Sequence, residues 1–119
     1  MLSEAEYQLA QIIWQDQPIS SKELIIQAHK KYQWKKSTTY TLLKRMIDKQ
    51  LASNNNGIIT MLVDKQLIDH QKTQNLLDQA FDRSLPKLIS TYYQGKTITK
   101  EEANAILTLI KQFEDEIDN

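Results

Sequence analysis

Cysteine is absent from this chain of 119 residues, and glycine is nearly so, with only Gly57 and Gly95. A chain without cysteine forms no disulfide, no thiolate metal site and no cysteine nucleophile, so we expect a cytoplasmic location. Loops that cradle phosphates need several residues without a Cβ, and two distant glycines do not supply them. P-loop and dinucleotide-binding motifs are therefore excluded.

Long apolar runs and histidine clusters are also missing. No run approaches the roughly 20 residues of a membrane-spanning helix, and the acidic, polar start MLSEAEYQ does not have the pattern that predicts a signal peptide. The two histidines, His29 and His70, are far apart, and neither has a companion at metal-ligand or catalytic spacing. We therefore expect no catalytic residues, no metal, no cofactor, no membrane partner and no enzymatic activity.

The charged side chains cancel in total but are unevenly distributed along the chain. Residues 22–49 contain eight Lys or Arg side chains and two carboxylates, a local charge of +6. Residues 64–119 contain seven basic and ten acidic side chains, a local charge of −3. A basic segment within a neutral chain indicates a polyanionic partner for the N-terminal half.

The first half of the chain has the pattern of three short helices. Capping boxes that begin at Ser3 and Ser20 predict the starts of the first two helices, and Pro18 separates them. A third helix is predicted after Trp34, with one apolar side and an opposite side that is polar and basic. The apolar side consists of Leu42, Leu43, Met46 and Ile47.

A β-hairpin is predicted after the third helix. Apolar runs at 51–53 and 58–63 flank the segment Asn-Asn-Asn-Gly at 54–57, and Asn-Gly between apolar runs is the strongest short hairpin signal. Three helices followed by a hairpin make a winged helix-turn-helix. We therefore predict a winged helix-turn-helix domain over residues 1–63.

In this architecture the third helix enters the major groove of DNA, and the second helix and the hairpin brace against the backbone. Hydroxyl and basic side chains suit phosphates and base edges, and the helix start offers free backbone N–H groups to a phosphate. The role of Tyr40 stays open between DNA contact and packing. The candidate DNA-binding residues of this segment are Lys35, Lys36, Ser37, Thr38, Tyr40, Thr41, Lys44 and Arg45.

Residues 64–119 are predicted to form a second, helical domain. The last helix opens with a capping box at Thr99, and its apolar positions 103, 106, 110, 113 and 117 follow a heptad pattern. So few residues do not form a large core alone. Either these helices fold back on the first domain, or they form a homodimer that places two recognition helices about one DNA turn apart. The candidate dimerisation residues are Leu77, Phe81, Leu88, Tyr92, Ile106, Ile110 and Phe113.

Several segments, taken in order, match the pattern of a known family over nearly the whole chain. They are Ser3–Tyr7 with Ile13-Trp14, then Trp34, Thr38, Thr41–Leu43 and Arg45, then Leu77–Phe81, Ser84, Leu88 and Thr99–Glu102. On these segments the chain resembles the penicillinase-repressor family (BlaI/MecI/CopY) of bacterial winged-helix repressors. The resemblance implies a homodimer that binds an inverted-repeat operator of a resistance or metal-transport regulon. It also implies that the recognition role falls to the residues of the third helix, with Asn54, Asn55 and Asn56 at the wing tip.

Three departures from the family pattern limit what the resemblance carries over. The copper branch has a C-terminal cysteine cluster that this chain lacks, so direct copper or zinc sensing through thiolates is not available. The β-lactam branch is cleaved at an Asn-Phe bond, and the matching position here is Thr91-Tyr92. The returning strand of the wing, 57–61, carries no basic residue, so we expect weaker phosphate contact there. The releasing partner is left open between a regulatory protease and an unknown inducer.

A second hypothesis comes from a different class of protein. The neutral total charge and the wing without arginine are compatible with an adaptor that uses the winged-helix scaffold to bind protein instead of DNA. Absence of DNA affinity at low salt would favour the adaptor.

Overall fold

The computed structural model describes the backbone of residues 1–118 and the side chains of residues 1–115. The side chain of Ile117, the last predicted heptad position, and the whole of Asn119 lie outside the described residues. Along the chain the elements are α1 (Glu4–Asp16), β1 (Ile19–Ser20), α2 (Ser21–Tyr32), α3 (Lys36–Asp48), β2 (Ala52–Asn55), β3 (Ile58–Met61), α4 (Lys65–Ala80), α5 (Leu85–Tyr92) and α6 (Lys100–Asp118). The predicted fold class, mainly helical with a small β-hairpin, is confirmed.

The chain divides into two compact units, Met1–Gln71 and Lys72–Asn119. The division falls inside α4, whereas the boundary predicted from the sequence lies just before that helix. None of the described helices combines the length and the apolar character that a membrane span needs.

The helix starts show which of the predicted capping boxes form. At α1 the box is complete, because Ser3 Oγ accepts from Glu6 N at 3.1 Å and Glu6 Oε1 accepts from Ser3 N at 2.7 Å. At α2 only the first half forms: Ser20 Oγ accepts from Glu23 N, but the Glu23 carboxylate accepts from Gln27 Nε2, one turn further on. The predicted box at Ser20 is therefore wrong in its second half.

The box at Thr99 is likewise half formed. Thr99 Oγ1 accepts from Glu102 N at 3.1 Å, while the Glu102 carboxylate accepts from the hydroxyl of Tyr93. The Glu102 carboxylate thus accepts from the Tyr93 hydroxyl, a stronger donor than the backbone N–H of Thr99 that a complete box would use. α5 ends at Tyr92, and Gly95, three residues further on, has a φ of +78°.

The strands form a three-stranded antiparallel sheet in the order β1-β3-β2. Asn55 pairs with Ile58, which leaves Asn56-Gly57 as a two-residue turn with φ values of 54° and 83°. Two positive φ values in a two-residue loop are the signature of a type I′ hairpin, so the hairpin prediction is confirmed. β1 is a third strand that the sequence did not predict; its Ile19 pairs with Ile59 of β3.

The only buried side chains of residues 1–115 lie in the first unit. Leu9, Ile13, Leu24, Met46 and Ile59 are fully buried, and together they join α1, α2, α3 and the sheet. By contrast, no described side chain from residue 72 to residue 115 is buried. The first unit therefore has a buried hydrophobic core. In the second unit the described apolar side chains remain at least partly exposed to solvent.

Candidate nucleic-acid interface

The helix α3 presents two different faces. Thr39, Leu42, Leu43 and Met46 are buried against the core. The predicted DNA-binding residues of this segment are all exposed. They are Lys35, Lys36, Ser37, Thr38, Tyr40, Thr41, Lys44 and Arg45. The structure therefore brings the predicted residues together on the solvent side of one helix, and their contact with DNA stays a prediction.

The side chain of Tyr40 lies on the solvent side of α3, and its contact with DNA stays a prediction. Its side chain is 43% exposed, and Lys36 Nζ lies 5.7 Å from the centre of its ring. A cation over an exposed aromatic ring leaves both groups accessible to a ligand. Tyr40 thus belongs to the exposed face of α3.

The N-terminus of α3 differs from those of its neighbours. Serine side chains cap α1, α2 and α5, whereas Lys35 at the start of α3 makes no side-chain cap bond, and the first turn contains no acidic residue. The first N–H groups of a helix have no partner within the helix, and the helix dipole favours an anion there. This end of α3 is therefore suited to a phosphate of DNA.

The basic side chains of residues 22–49 are almost all free of acidic neighbours. Lys49 pairs with Glu6 at 2.7 Å. Among the described side chains, the other seven have no carboxylate within 4.0 Å, the limit for an ion pair. These seven are Lys22, Lys30, Lys31, Lys35, Lys36, Lys44 and Arg45. We call them the unpaired cations, and their charge is available to a polyanion.

A shallow cleft of about 270 Å³ lies on the exposed face of α3 and is lined by Ser37, Thr38, Thr41, Leu42 and Arg45. Thr41 Oγ1 donates to the carbonyl oxygen of Ser37 at 2.9 Å. With its proton engaged, the Thr41 hydroxyl offers only its lone pairs to an outside group. In this arrangement it suits a base amino group better than a phosphate, because a phosphate needs a donor.

The wing differs in detail from the prediction. Asn54 and Asn55, predicted at the wing tip, lie in β2, and only Asn56 stands in the turn, beside Gly57. Asn54 Oδ1 accepts from Gly57 N at 2.8 Å, so this side chain stabilises the turn. The prediction missed the register because an Asn-rich run does not show which two residues will take positive φ.

The sequence reasoning passed over Lys22. Ser21 N donates to the carbonyl oxygen of Gly57 at 2.8 Å, so the start of α2 lies beside the turn of the wing. Lys22 follows directly and is exposed. It places a positive charge next to a wing that has none. Lys22 is one of the eight basic residues counted in 22–49, but only residues of α3 and the wing were predicted to bind DNA.

The predicted dimerisation residues lie in the second unit with differing exposure. Leu77, Phe81, Leu88 and Ile106 are half-buried, whereas Tyr92, Ile110 and Phe113 are 58%, 46% and 56% exposed. Three of them, Leu88, Tyr92 and Ile106, share an apolar cleft of about 230 Å³ between α5 and α6. The sequence reasoning did not select further exposed apolar residues here, namely Leu76, Leu85, Ile98, Leu107 and Leu109.

Glu102 and Tyr93 join α5 to α6 at the same cleft. Their hydrogen bond raises the pKa of the Tyr93 phenol to about 12, with a smaller effect from burial. The neighbouring Thr91-Tyr92, which stands where the β-lactam branch is cleaved, lies in the last turn of α5. Thr91 Oγ1 donates to the carbonyl oxygen of Lys87 at 2.8 Å, so Thr91 is held within the helix.

Three helices, a paired wing and a basic exposed face on α3 define a winged-helix DNA-binding regulator. A family model described as penicillinase repressor matches residues 2–112, and the chain belongs to this family. It is 21% identical over 115 residues to a penicillinase repressor from Bacillus licheniformis, an alignment that covers 93% of this chain and 90% of the relative. The family is one of DNA-binding transcriptional repressors and not a class of enzymes.

Proposed function

We propose that this chain is a homodimeric repressor that binds an inverted-repeat operator and blocks access of RNA polymerase to the promoter. The observation that carries the proposal is the set of seven unpaired cations, of which Lys35, Lys36, Lys44 and Arg45 lie at the start or on the exposed face of α3. Each Lys or Arg that neutralises a phosphate releases a condensed counterion, and this release supplies much of the affinity for DNA.

Within this interface the side chains divide by role. Lys35, Lys36 and Lys44, with the open N-terminus of α3, position the helix on phosphates. Thr38, Thr41 and Arg45 border the cleft on the exposed face and are the base-reading candidates. Asn56 at the wing turn and Lys22 beside it contact the backbone at the edge of the site. Asn54 and Asn55 affect DNA binding only indirectly, through the shape of the wing.

The second unit supports the homodimer. Apolar side chains at positions 92, 107, 109, 110 and 113 are each more than two fifths exposed, and no side chain between residues 72 and 115 is buried. Large apolar side chains left exposed in one unit indicate an interaction site. A twofold dimer would present two recognition helices roughly 34 Å apart, which matches an inverted repeat.

The resemblance to the family supports a proposal for the class of regulon and leaves two routes of release. We propose a resistance or metal-transport regulon, as in the branches that the sequence resembles. The absence of cysteine excludes thiolate sensing of copper or zinc, so release falls to a protease or to an inducer of another kind.

The proposal is tested by fluorescence anisotropy against the DNA upstream of the protein's own gene, with a scrambled duplex as competitor. At about 0.15 M salt, specific affinities are roughly 10⁻⁸–10⁻¹¹ M and non-specific ones roughly 10⁻⁴–10⁻⁶ M. If the operator lies elsewhere, it can be identified among the genomic fragments that bind to the immobilised protein. Selective binding supports the repressor, and absence of binding even at low salt supports the adaptor.

A triple variant tests the recognition face. Thr38→Ala, Thr41→Ala and Arg45→Ala together should weaken operator binding by roughly 1–3 kcal/mol for each base that is no longer read. The matched control changes exposed side chains of α6, Thr108→Ala and Lys111→Ala, and should leave the operator affinity unchanged. Operator affinity that survives the triple variant would refute the assignment of α3 as the recognition helix.

A further inference from the structure

The cleft between α5 and α6 lies within the second unit and has a mixed lining. Its volume of about 230 Å³ is below the roughly 300–1,000 Å³ of sites for drug-sized ligands, so it fits a small ligand. Three aliphatic side chains, two tyrosine rings and one carboxylate face it. They are Leu88, Ile89 and Ile106, then Tyr92 and Tyr93, and Glu102.

The two tyrosine rings form a corner of this cleft. The ring centres of Tyr92 and Tyr93 are 4.9 Å apart, and the ring planes meet at 88°. The face of an aromatic ring carries partial negative charge and attracts cations. Two rings at a right angle can contact one cation from two sides, as in the aromatic cages that bind quaternary ammonium groups.

A cation of the chain itself already rests on one of these rings. Lys96 Nζ lies 4.3 Å from the centre of the Tyr92 ring, closer than the 5.7 Å between Lys36 Nζ and the ring of Tyr40. The turn after α5 brings it there, because Lys96 N donates to the carbonyl oxygen of Tyr93 at 2.9 Å. Among the described side chains, no carboxylate lies within 4.0 Å of Lys96 Nζ. This exposed ammonium on a flexible stem can therefore give way to another cation.

Glu102 adds a negative charge to the same cleft. Its Oε1 accepts from the hydroxyl of Tyr93, which orients the carboxylate. No basic side chain of the described residues lies within 4.0 Å of the Glu102 carboxylate. The hydroxyl is a neutral donor, so the charge of Glu102 is left for a ligand of opposite sign.

We propose that this cleft binds a small monovalent cation with an apolar body, of the class of aromatic quaternary ammonium ions. The positive group lies against the two tyrosine rings and Glu102, and the apolar body lies against the aliphatic side chains. A neutral ligand forgoes the attraction of Glu102, and an anion is repelled by it. This binding does not depend on the proposed function.

The effect of the cation on the dimer does rest on the proposed function. Leu88, Tyr92 and Ile106 line the cleft and are also predicted dimerisation residues. A cation in the cleft therefore competes with the second copy for the same side chains. Such a ligand acts as an inducer, because it favours the monomer over the dimer that binds the operator.

The binding test is a titration followed by two-dimensional ¹H–¹⁵N NMR. The protein carries Ile110→Asn, a neutral change on α6 outside the cleft that weakens the predicted dimer and leaves the cleft open. The probe is benzyl(2-hydroxyethyl)dimethylammonium, and the control ligand is its neutral isostere with carbon in place of nitrogen. We expect saturable shifts at residues 88–93 and 102–106, with the cation bound about tenfold more tightly than the isostere.

Substitutions in the same background test the charge and the ring. Tyr92→Leu and Glu102→Gln should each weaken binding of the cation by about threefold to tenfold. Lys96→Gln should strengthen it by about twofold to threefold, because it removes the ammonium that occupies the Tyr92 ring. The matched controls, Glu101→Gln and Lys111→Gln, make the same changes at exposed side chains outside the cleft and should leave the affinity unchanged.

The outcomes of the binding test are distinct. Weaker binding in Glu102→Gln together with tighter binding in Lys96→Gln supports the proposal. Equal affinity for the cation and its isostere overturns it, and so does the absence of saturable shifts at residues 88–106. Equal weakening by Glu101→Gln and Glu102→Gln also overturns it, because the attraction would then be unspecific.

Sedimentation velocity of the wild-type chain tests the effect on the dimer. If the cation binds only the monomer, a concentration of about twice its own Kd should raise the Kd of the dimer about ninefold, since both copies must release it. A bound cation that leaves the Kd of the dimer unchanged refutes the role as inducer. A wild-type chain that is monomeric without the cation refutes the proposed homodimer, and the NMR titration still decides the binding site.

Discussion

The carboxylate of Glu6 in α1 is bonded to the ammonium of Lys49, the C-cap residue that follows α3. Lys49 Nζ lies 2.7 Å from Glu6 Oε1 and 3.0 Å from Oε2, and it also donates to the carbonyl oxygen of Met1 at 3.1 Å. Glu6 is 1% exposed, yet its oxygens are satisfied by Lys49 and by the N–H of Ser3. One buried side chain therefore completes the cap of α1 and holds the end of the proposed recognition helix.

The variant Glu6→Gln should destabilise the DNA-binding unit. A hydrogen bond to a charged group contributes roughly 1.5–3 kcal/mol, and the neutral amide keeps the shape but loses the charge. We expect a loss of about that size in the free energy of unfolding at neutral pH, measured by denaturant titration. Glu4→Gln is the matched control, since Glu4 is in the same first turn but exposed. Equal effects of the two variants would contradict the role of Lys49.

The same pair predicts a pH dependence. Burial by itself raises the pKa of Glu6, but hydrogen bonds from Lys49 and Ser3 outweigh burial and hold the pKa below its usual 4.5. Because the folded pKa is lowered, the stabilising contribution is complete above the unfolded pKa and is lost as the pH falls through the folded pKa. The gap in unfolding free energy between wild type and Glu6→Gln should therefore narrow as the solution is acidified below pH 4.5.

Thr39 offers a stabilising change within α3. Its side chain is 1% exposed, and its Oγ1 has no hydrogen-bond partner among the described residues. An unsatisfied buried hydroxyl costs about 1–3 kcal/mol, and valine replaces it at almost the same shape. Thr39→Val should therefore raise the free energy of unfolding by about 1 kcal/mol, measured by thermal or denaturant unfolding.

The control for this prediction is Thr41→Val on the same helix. Thr41 is exposed and its hydroxyl is bonded to the Ser37 carbonyl oxygen, so the change should bring no gain in stability. A lower free energy of unfolding in Thr39→Val would contradict the prediction. It would mean that the Thr39 hydroxyl has a hydrogen-bond partner in solution.

Periodicity and local chemistry predicted most of the elements. The apolar spacing of α3 separated the buried Leu42, Leu43 and Met46 from the exposed face, and Asn-Gly predicted the turn of the wing. These signals reside within a few residues of sequence. The sequence therefore predicted which side of α3 is exposed.

Contacts between residues that are far apart in the sequence could not be predicted in this way. β1 is two residues long and exists only through its pairing with Ile58 and Ile59 of β3. Glu6 and Lys49 are 43 residues apart, and Tyr7 and Asp69 are 62 apart. No local pattern marks such pairs, since a capping glutamate and a surface lysine are common on their own. The proximity of Lys22 to the wing likewise depends on the bond between Ser21 and Gly57.

Salt dependence should separate cations that bind phosphate from other cations. For each phosphate that the protein no longer neutralises, the slope of log affinity against log salt concentration falls by about 0.9. Lys44→Ala and Lys22→Ala should each weaken binding to the operator and to the scrambled duplex alike and lower the slope by about one. Lys111→Ala, an exposed lysine of α6, is the control and should leave the slope unchanged. A slope that Lys22→Ala does not alter would remove Lys22 from the interface.

The dimer prediction can be tested at one position of α6. Ile110 is 46% exposed in the single chain, and burying an isoleucine contributes roughly 1.5–3 kcal/mol. Ile110→Asp removes this gain and places a charge in the interface, so the dissociation constant of the dimer should rise by about a hundredfold or more. Sedimentation velocity over a concentration series measures it.

Thr108→Asp puts the same charge on the opposite side of α6 and should leave the dimer intact, because Thr108 lies about 160° around the helix from Ile110 at 100° per residue. The two variants therefore differ in the face that they alter and not in the charge that they add. A wild-type monomer at tens of micromolar would contradict the homodimer, and equal weakening by the two aspartates would place the interface on another surface.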